Sequence, residues 1–133
     1  MAKIRHIAIR SENPEGTASF FREVFGLELI QRREHGPIDL SDGDINLTIL
    51  PLNLGPSTYE VLPGFEHIGF SSEEPEAIHQ RLMEHGAKEM NPVALGDVYF
   101  ESKYRTEEGL IIDVGHWRGA KAVGQPAHAG AKP

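Results

Sequence analysis

The ten residues from His6 to Glu15 return 61 positions later as the ten from His67 to Glu76. His6 and His67, Ile7 and Ile68, Ser11 and Ser72, Glu12 and Glu73, Pro14 and Pro75, and Glu15 and Glu76 all fall in register. One structural unit used twice constrains the fold more than any composition does. Two copies related by a pseudo-twofold axis bring equivalent positions face to face, and the positions that would meet here carry imidazoles. Two facing histidines point to a metal site.

At 133 residues the chain has the length of one domain and is too short for two independent cores. A net charge of -7 works against broad attraction to phosphates, and no basic face interleaved with aromatics is present, so nucleic acid is not expected as a partner. No apolar run reaches the roughly 18 residues of a membrane span, and the first residues lack the apolar stretch of a signal peptide. A cytosolic protein without membrane association is the expectation. The chain holds no cysteine, which leaves histidine and carboxylate groups as the side chains able to hold a metal.

Alternation over residues 3–10 predicts a strand with Ile7 and Ile9 on one face and Ile4, His6 and Ala8 on the other. Asn13 and Pro14 read as an N-cap and first helical position, Ala18, Phe21, Val24 and Phe25 as the apolar stripe, and Gly26 as the stop. Residues 27–33 and 38–40 read as strands, and Asp42-Gly43-Asp44 as a turn into a strand over 45–50. The first half is therefore βαβββ. The second half repeats the plan, with a strand over 65–71 and a helix opened by Glu74-Pro75 that carries Ala77, Ile78, Leu82 and Met83 to a stop at Gly86. Strands over 88–91 and 99–105 follow, then a turn at Glu107-Glu108-Gly109 and a strand over 110–114. The expected organisation is one domain over 1–117, with module one over 1–50, a linker over 51–63 and module two over 64–117. Residues 118–133, rich in Ala, Gly, Pro and Lys, read as a flexible tail.

If Ile7, Ile9, Ile68 and Phe70 pack under the helices, His6 and His67 point to the opposite face, together with Phe65. With Leu110, Ile112 and Val114 as packing residues of the last strand, Asp113 joins the two imidazoles. Two histidines and one carboxylate form a three-ligand set that leaves positions on a divalent metal for water or substrate. Phe20, Phe21, Phe25 and Phe65 read as core, and Phe65 also as a substrate contact because it shares the face of His67. Trp117 reads as a cap on the barrel and His116 as a bystander, while His35, His79, His85 and His128 receive no role. Gly43 and Gly109 are turn residues without a helix start behind them, so nucleotide binding has no support.

The order of the His6 strand, the Asn13-Pro14 helix, the His67 strand, the Glu74-Pro75 helix and the closing run Glu107-Glu108-Gly109-Leu110-Ile111-Ile112-Asp113 resembles the vicinal oxygen chelate superfamily. That superfamily includes glyoxalase I, bleomycin resistance proteins and extradiol dioxygenases. The resemblance implies an α+β fold of two βαβββ modules whose eight strands form an incomplete barrel, with His6, His67 and Asp113 as metal ligands. The family's closing pattern usually puts Glu four residues after the glycine, and here the place falls to Asp113, shorter by one methylene. The fourth family position should fall at Asn46 or Thr48, since Ile45, Leu47 and Ile49 take the packing face. Glyoxalase-type lyases and epimerases carry a Glu there as ligand and base. Neither Asn46 nor Thr48 is a carboxylate, which fits three-ligand dioxygenase chemistry better.

These readings converge on a metal-dependent enzyme that binds a small molecule through adjacent oxygens. Iron(II) would bring dioxygenase chemistry. Nickel, zinc, manganese or cobalt would bring the alternative, lyase or epimerase chemistry by proton transfer next to a carbonyl. A further alternative is a metal-free binder of the bleomycin-resistance type. Glu101 is the candidate base, on a strand face shared with Lys103 and Arg105. Asn46, Thr48, Phe65 and Lys103 are the expected substrate contacts. Open sheet edges and the habit of single-pair family members both lead to the expectation of a homodimer.

Overall fold

The structure, a computed structural model, describes residues 1–54, 61–90, 93–95 and 99–117, with side chains omitted at 93–95, 99–101, 116 and 117. The chain divides into two compact units, His6–Glu66 and a second made of Met1–Arg5 with His67–Pro133. The division cuts β1 (Lys3–Ser11) and β5 (Gly64–Ser71) after their first three residues.

The unit His6–Glu66 continues from β1 into α1 (Pro14–Phe25), β2 (Glu28–Arg32), β3 (Ile38–Ser41) and β4 (Asn46–Pro51). Asn13 caps α1 by accepting the Gly16 N–H at 3.1 Å, and Pro14 fills the first position, where no amide donor is required. Gly26 ends the helix at φ 73°, a left-handed conformation that favours glycine. The strands run in the order β2-β3-β4-β1, with β1 and β4 parallel and the other pairs antiparallel. Ala18 of α1 packs on Ile38, Leu40 and Ile49, with Ile9, Phe21, Leu27, Leu29 and Leu47 around them. This apolar face sends the alternate positions of the same strands, His6, Ala8, Asp39, Asn46 and Thr48, to the other side of the sheet.

The second unit contains the remainder of β5, α2 (Pro75–Glu84), β6 (Lys88–Glu89), β7 (Val93–Leu95), β8 (Tyr99–Arg105) and β9 (Ile111–Trp117). Its strand order is β5-β9-β8-β6, with β5 parallel to β9 and β7 paired to β8 off the main path. Ser72 Oγ accepts the Glu74 N–H at 2.9 Å ahead of α2, which starts on Pro75 as α1 starts on Pro14. No residue of α2 is fully buried. His79 on this helix lies 2.8 Å by Nδ1 from the Tyr104 hydroxyl of β8. Burial pushes the Tyr104 phenol up from its ordinary value, and the charge of Glu89 adds to the effect.

The α+β class with two βαβββ modules is the observed one, with four strands in each main path and eight together. The sequence missed β7, a three-residue strand beside residues that carry no clear alternation. Several expected packing residues are exposed. Phe20, Val24 and Phe25 lie outside the core, Phe20 at 54% and Phe25 at 64% exposure. Ala18 and Phe21 already fill the surface that α1 shares with the sheet. Phe20 and Phe25 instead lie edge-on or tilted against neighbouring rings, with centroids 5.4 Å apart for Phe20 and Phe21 and 5.9 Å for Phe21 and Phe25. Met83 and Phe65 are likewise exposed, so neither is core. Leu110 is exposed because β9 starts one residue later; its N–H and C=O close a turn on Thr106. Residues 55–60 of the expected linker and the tail over 118–133 lie outside the described residues, as do the side chains of Glu101, His116 and Trp117. Among the described residues no helix is long and apolar enough to cross a membrane.

Candidate functional site

In the second unit the alternation of β5, β8 and β9 gathers three chemically active side chains. Asp113 on β9 stands opposite Gly69 on β5 and opposite Lys103 on β8. Gly69 has no side chain to fill the space beside the carboxylate. Asp113 Oδ2 lies 2.9 Å from His67 Nε2, and Asp113 Oδ1 accepts from Lys103 Nζ at 2.7 Å. Asp113 is 1% exposed and His67 is also buried. A carboxylate so placed costs several kcal/mol unless it is paired, and Lys103 supplies the opposite charge.

The spacing of His67 and Asp113 also suits a shared cation. Ligand atoms held about 2.1 Å from a first-row ion at a right angle are separated by roughly 3.0 Å. The observed 2.9 Å between Nε2 and Oδ2 is close to that separation. Lys103 holds the other carboxylate oxygen, which suits Asp113 to bind through one oxygen.

The polar face of the first unit is equally buried. His6 stands opposite Asn46 and Ala8 opposite Thr48. His6, Asn46, Thr48 and Asp39 are all buried. Asp39 holds this face together, because its Oδ1 accepts from Thr48 Oγ1 at 2.8 Å and from Arg33 Nη2 at 3.2 Å. Its Oδ2 accepts from Gln31 Nε2 at 2.8 Å and lies 3.0 Å from Arg33 Nε. A half-buried ion pair, Arg10 Nε to Glu66 Oε1 at 3.1 Å, joins β1 to β5, and Arg10 Nη1 also holds the Pro51 carbonyl at 2.6 Å.

The sequence had left Asn46 and Thr48 as equal candidates for one position, and strand register separates them. Asp113 pairs with Gly69, the repeat matches Gly69 to Ala8, and Ala8 pairs with Thr48. Thr48 is thus the module-one equivalent of Asp113, while Asn46 corresponds to Ile111. Sequence reasoning missed Asp39, Arg33 and Gln31. The available signal was Ile38 and Leu40 on the packing face, which turns Asp39 toward the face of Thr48.

Lys103, expected as a substrate contact, is placed against Asp113. Phe65 precedes His67 by two residues on β5 and is 55% exposed, open to a ligand or solvent. Glu101 stands opposite Gly115 in the backbone register, and His116 opposite Phe100. His35 is an exposed residue at φ 72°, and His85 caps α2.

A family model described as the Glyoxalase/Bleomycin resistance protein/Dioxygenase superfamily matches residues 3–112, and the chain belongs to that superfamily. Among solved structures it is similar to a methylmalonyl-CoA epimerase in complex with methylmalonyl-CoA and NH4+, with 15% identity and a TM-score of 0.73 over 92% of this chain and 99% of that one. A Streptomyces coelicolor methylmalonyl-CoA epimerase variant in complex with 2-nitronate-propionyl-CoA gives 16% identity and a TM-score of 0.70, covering 86% and 96%. A hypothetical protein from Bacillus halodurans C-125 gives 17% identity and 0.69, covering 86% and 94%. These likenesses show the shared fold. No curated protein sequence matches the chain.

Proposed function

We propose that this superfamily member is a metal-dependent enzyme in which His6, His67 and Asp113 hold one divalent ion and the substrate is a small molecule with two adjacent oxygens. The observation that carries the reading is the buried 2.9 Å approach of His67 Nε2 to Asp113 Oδ2, with Lys103 on the opposite carboxylate oxygen. His6 joins them by the repeat, since it holds in β1 the place that His67 holds in β5. A bound ion would polarise a substrate carbonyl and stabilise negative charge on its oxygen. Iron, nickel, zinc, manganese and cobalt all accept such a donor set.

The reaction class we favour is proton transfer at a carbon next to a carbonyl, of the epimerase or glyoxalase-like lyase kind, supported by a fold shared with methylmalonyl-CoA epimerases. In this reading Glu101 takes the proton from the substrate carbon and returns it after the charge has moved to the carbonyl oxygen. Lys103 keeps one N–H on Asp113 and offers its remaining donors to a substrate oxygen. Phe65 supplies an apolar wall, and Asn46 and Thr48 are polar contacts. A second reading, dioxygenase chemistry on iron(II), is favoured by one observation, the neutral Thr48 at the place equivalent to Asp113.

Metal analysis of protein purified without chelator, followed by exchange of substrate-analogue protons in heavy water, tests the reading. Bound metal and exchange lost in Glu101→Gln support it. Protein that takes up no metal and gains no stability from it would instead be a binder of the bleomycin-resistance type. We further infer one domain over 1–117, with modules over 1–50 and 64–117, a linker over 51–63 and a flexible tail over 118–133. A cytosolic homodimer is part of the same reading, and a monomer mass at micromolar concentration would refute the dimer.

A further inference from the structure

Arg33 opens the turn between β2 and β3 and is held at both ends. Its N–H donates to the Pro37 carbonyl at 2.8 Å, and its own carbonyl accepts the Gly36 N–H at 3.3 Å. Gly36 takes φ 106° in this turn, and a Cβ there would lie 2.7 Å from Pro51 Cγ, so the turn is packed down on the end of β4. At the far end of the side chain the guanidinium meets Asp39, which is 2% exposed. Nε lies 3.0 Å from Oδ2, and Nη2 donates to Oδ1 at 3.2 Å. Asp39 is itself fixed, because Gln31 Nε2 and Thr48 Oγ1 each donate to one of its oxygens at 2.8 Å.

A guanidinium carries its N–H donors in one plane as a rigid fork. Asp39 takes the edge formed by Nε and Nη2, which leaves the edge formed by Nη1 and the second N–H of Nη2. Among the described residues no hydrogen bond or ion pair reaches Nη1. The Arg33 side chain is 36% exposed, so a solute can approach it. Two parallel N–H groups are the fork that carboxylate and phosphate oxygens meet in bidentate fashion. Arg32 next door offers a contrast, since it pairs with Glu15 through the same two atoms, at 2.8 and 3.0 Å. Both members of that pair are more than half exposed, so water and salt compete for it and its geometry is not held. The buried acid is what fixes Arg33 in advance, and a side chain already ordered by folding loses little freedom when it binds.

We propose that Arg33 is an oxyanion-binding residue of module one, which takes the carboxylate or phosphate group of a small-molecule ligand on its Nη1 and Nη2 edge while buried Asp39 holds the other edge. Arg33 makes the contact, and Asp39 is the positioning residue. A lysine would balance Asp39 equally well, as Lys103 balances Asp113, but its compact ammonium has no second edge to present. The Arg33 and Asp39 charges nearly cancel, so binding depends on the direction of the two N–H groups more than on net attraction. An isolated anion should therefore bind with a Kd of about 1–10 mM, the strength of two charge-assisted hydrogen bonds without other contacts. Every group involved belongs to the unit His6–Glu66, so the site stands or falls apart from the metal reading.

The test is titration of chelator-stripped full-length protein with inorganic phosphate and, separately, with acetate, read by NMR of the arginine Nε–H groups and of the backbone amides of the 33–37 turn. At least one anion should give saturable shifts at Arg33 and its turn, and the tighter of the two assigns the ligand group as phosphate or carboxylate. Arg33→Lys should weaken binding at least about 10-fold, because the ammonium is taken up by Asp39. Arg32→Gln should leave binding within about twofold, since only an exposed pair is lost. His67→Ala should bind the anions as the wild type does, so a failure of metal uptake would leave this result standing. Should Arg33→Lys fail to fold, the double variant Arg33→Gln with Asp39→Asn, which removes both buried charges together, replaces it and should abolish saturation. The proposal is overturned by the absence of saturable shifts at Arg33 below about 100 mM of either anion, or by wild-type affinity in Arg33→Lys or in the double variant. An equal loss in Arg32→Gln, or loss of the shifts in His67→Ala, overturns it as well.

Discussion

Replacing Lys103 by methionine keeps an unbranched stem of similar length and removes the charge that faces Asp113. The carboxylate, 1% exposed, then retains His67 at 2.9 Å but loses the ammonium at 2.7 Å. Removing one partner of a buried ion pair costs about 3–5 kcal/mol. Lys103 keeps 21% of its side-chain surface in solvent, which argues for a smaller value, roughly 2–3 kcal/mol after screening. For a chain of this size each kcal/mol moves Tm by about 4 °C. Chelator-treated Lys103→Met should therefore melt roughly 10 °C below the wild type in a calorimetric scan. A divalent ion at 100 times its dissociation constant returns about 2.7 kcal/mol. Because the ion takes over the ammonium's role, it should raise the variant's Tm more than the wild type's. A metal-free variant that melts within a degree or so of the wild type would show that Asp113 does not depend on Lys103 for its charge balance, and the account of this carboxylate would fall.

Asp113→Asn keeps the shape of the side chain but removes the anionic donor, so Mn2+ or Zn2+ retention in equilibrium dialysis should fall by at least about 100-fold. Retention unchanged would exclude Asp113 as a ligand. Leu40→Ala opens a cavity under α1, where Leu40 is fully buried among Ala18, Ile38 and Ile49, and should cost about 2–5 kcal/mol in urea unfolding. Tyr104 has its phenol pushed up chiefly by burial. A group raised on folding stabilises the fold below its unfolded value and loses that contribution as pH rises through the folded one. Stability should accordingly decline above about pH 10, and Tyr104→Phe should flatten this alkaline limb while losing the bond to His79. An equally steep limb in the variant would assign the decline to other groups.

The parts legible in the sequence are those fixed by local chemistry. Asn13-Pro14 and Glu74-Pro75 open helices, Gly26 closes one, and alternation in β1 and β5 sets His6 and His67 on the face opposite Ile9 and Ile68. Each of these depends on residues within a turn or two of one another. Misreadings arose where burial depends on what lies across from a residue. Phe20 and Phe25 look like core because they are large and apolar, yet α1 meets its sheet mainly through Ala18 and Phe21. Leu110 continues an apolar run by composition, while the Thr106 hydrogen bonds hold it in the preceding turn. Asp39 could be assigned to a face from Ile38 and Leu40, but its partners come from β2 (Gln31), the residue just after it (Arg33) and β4 (Thr48). Their meeting depends on a register that includes a bulge between Leu29 and Gln31.

The repeat itself fades where the chemistry is placed. Identity between the modules is concentrated in the first strand and the helix start, whereas β3 and β4 show little resemblance to β8 and β9. The conserved portion fixes the imidazoles, since a one-residue slip in either strand would turn them to the opposite face. The divergent portion sets the charge around them. Module two places a carboxylate on its last strand beside a lysine, and module one places a hydroxyl there beside a carboxylate that arginine neutralises. Both arrangements leave the acid and its partner near neutrality, so neither sheet buries an uncompensated charge. The difference lies in which atom is presented, an anionic oxygen from Asp113 or a neutral one from Thr48. A single exchange of acid and donor between adjacent strands therefore gives equivalent strands of the two modules different chemistry, a carboxylate in one and a hydroxyl in the other. Inverting it with Thr48→Asp and Asp39→Lys should make module one imitate module two and tighten divalent-ion binding. Weaker binding by a correctly folded double variant would refute the equivalence of Thr48 with Asp113.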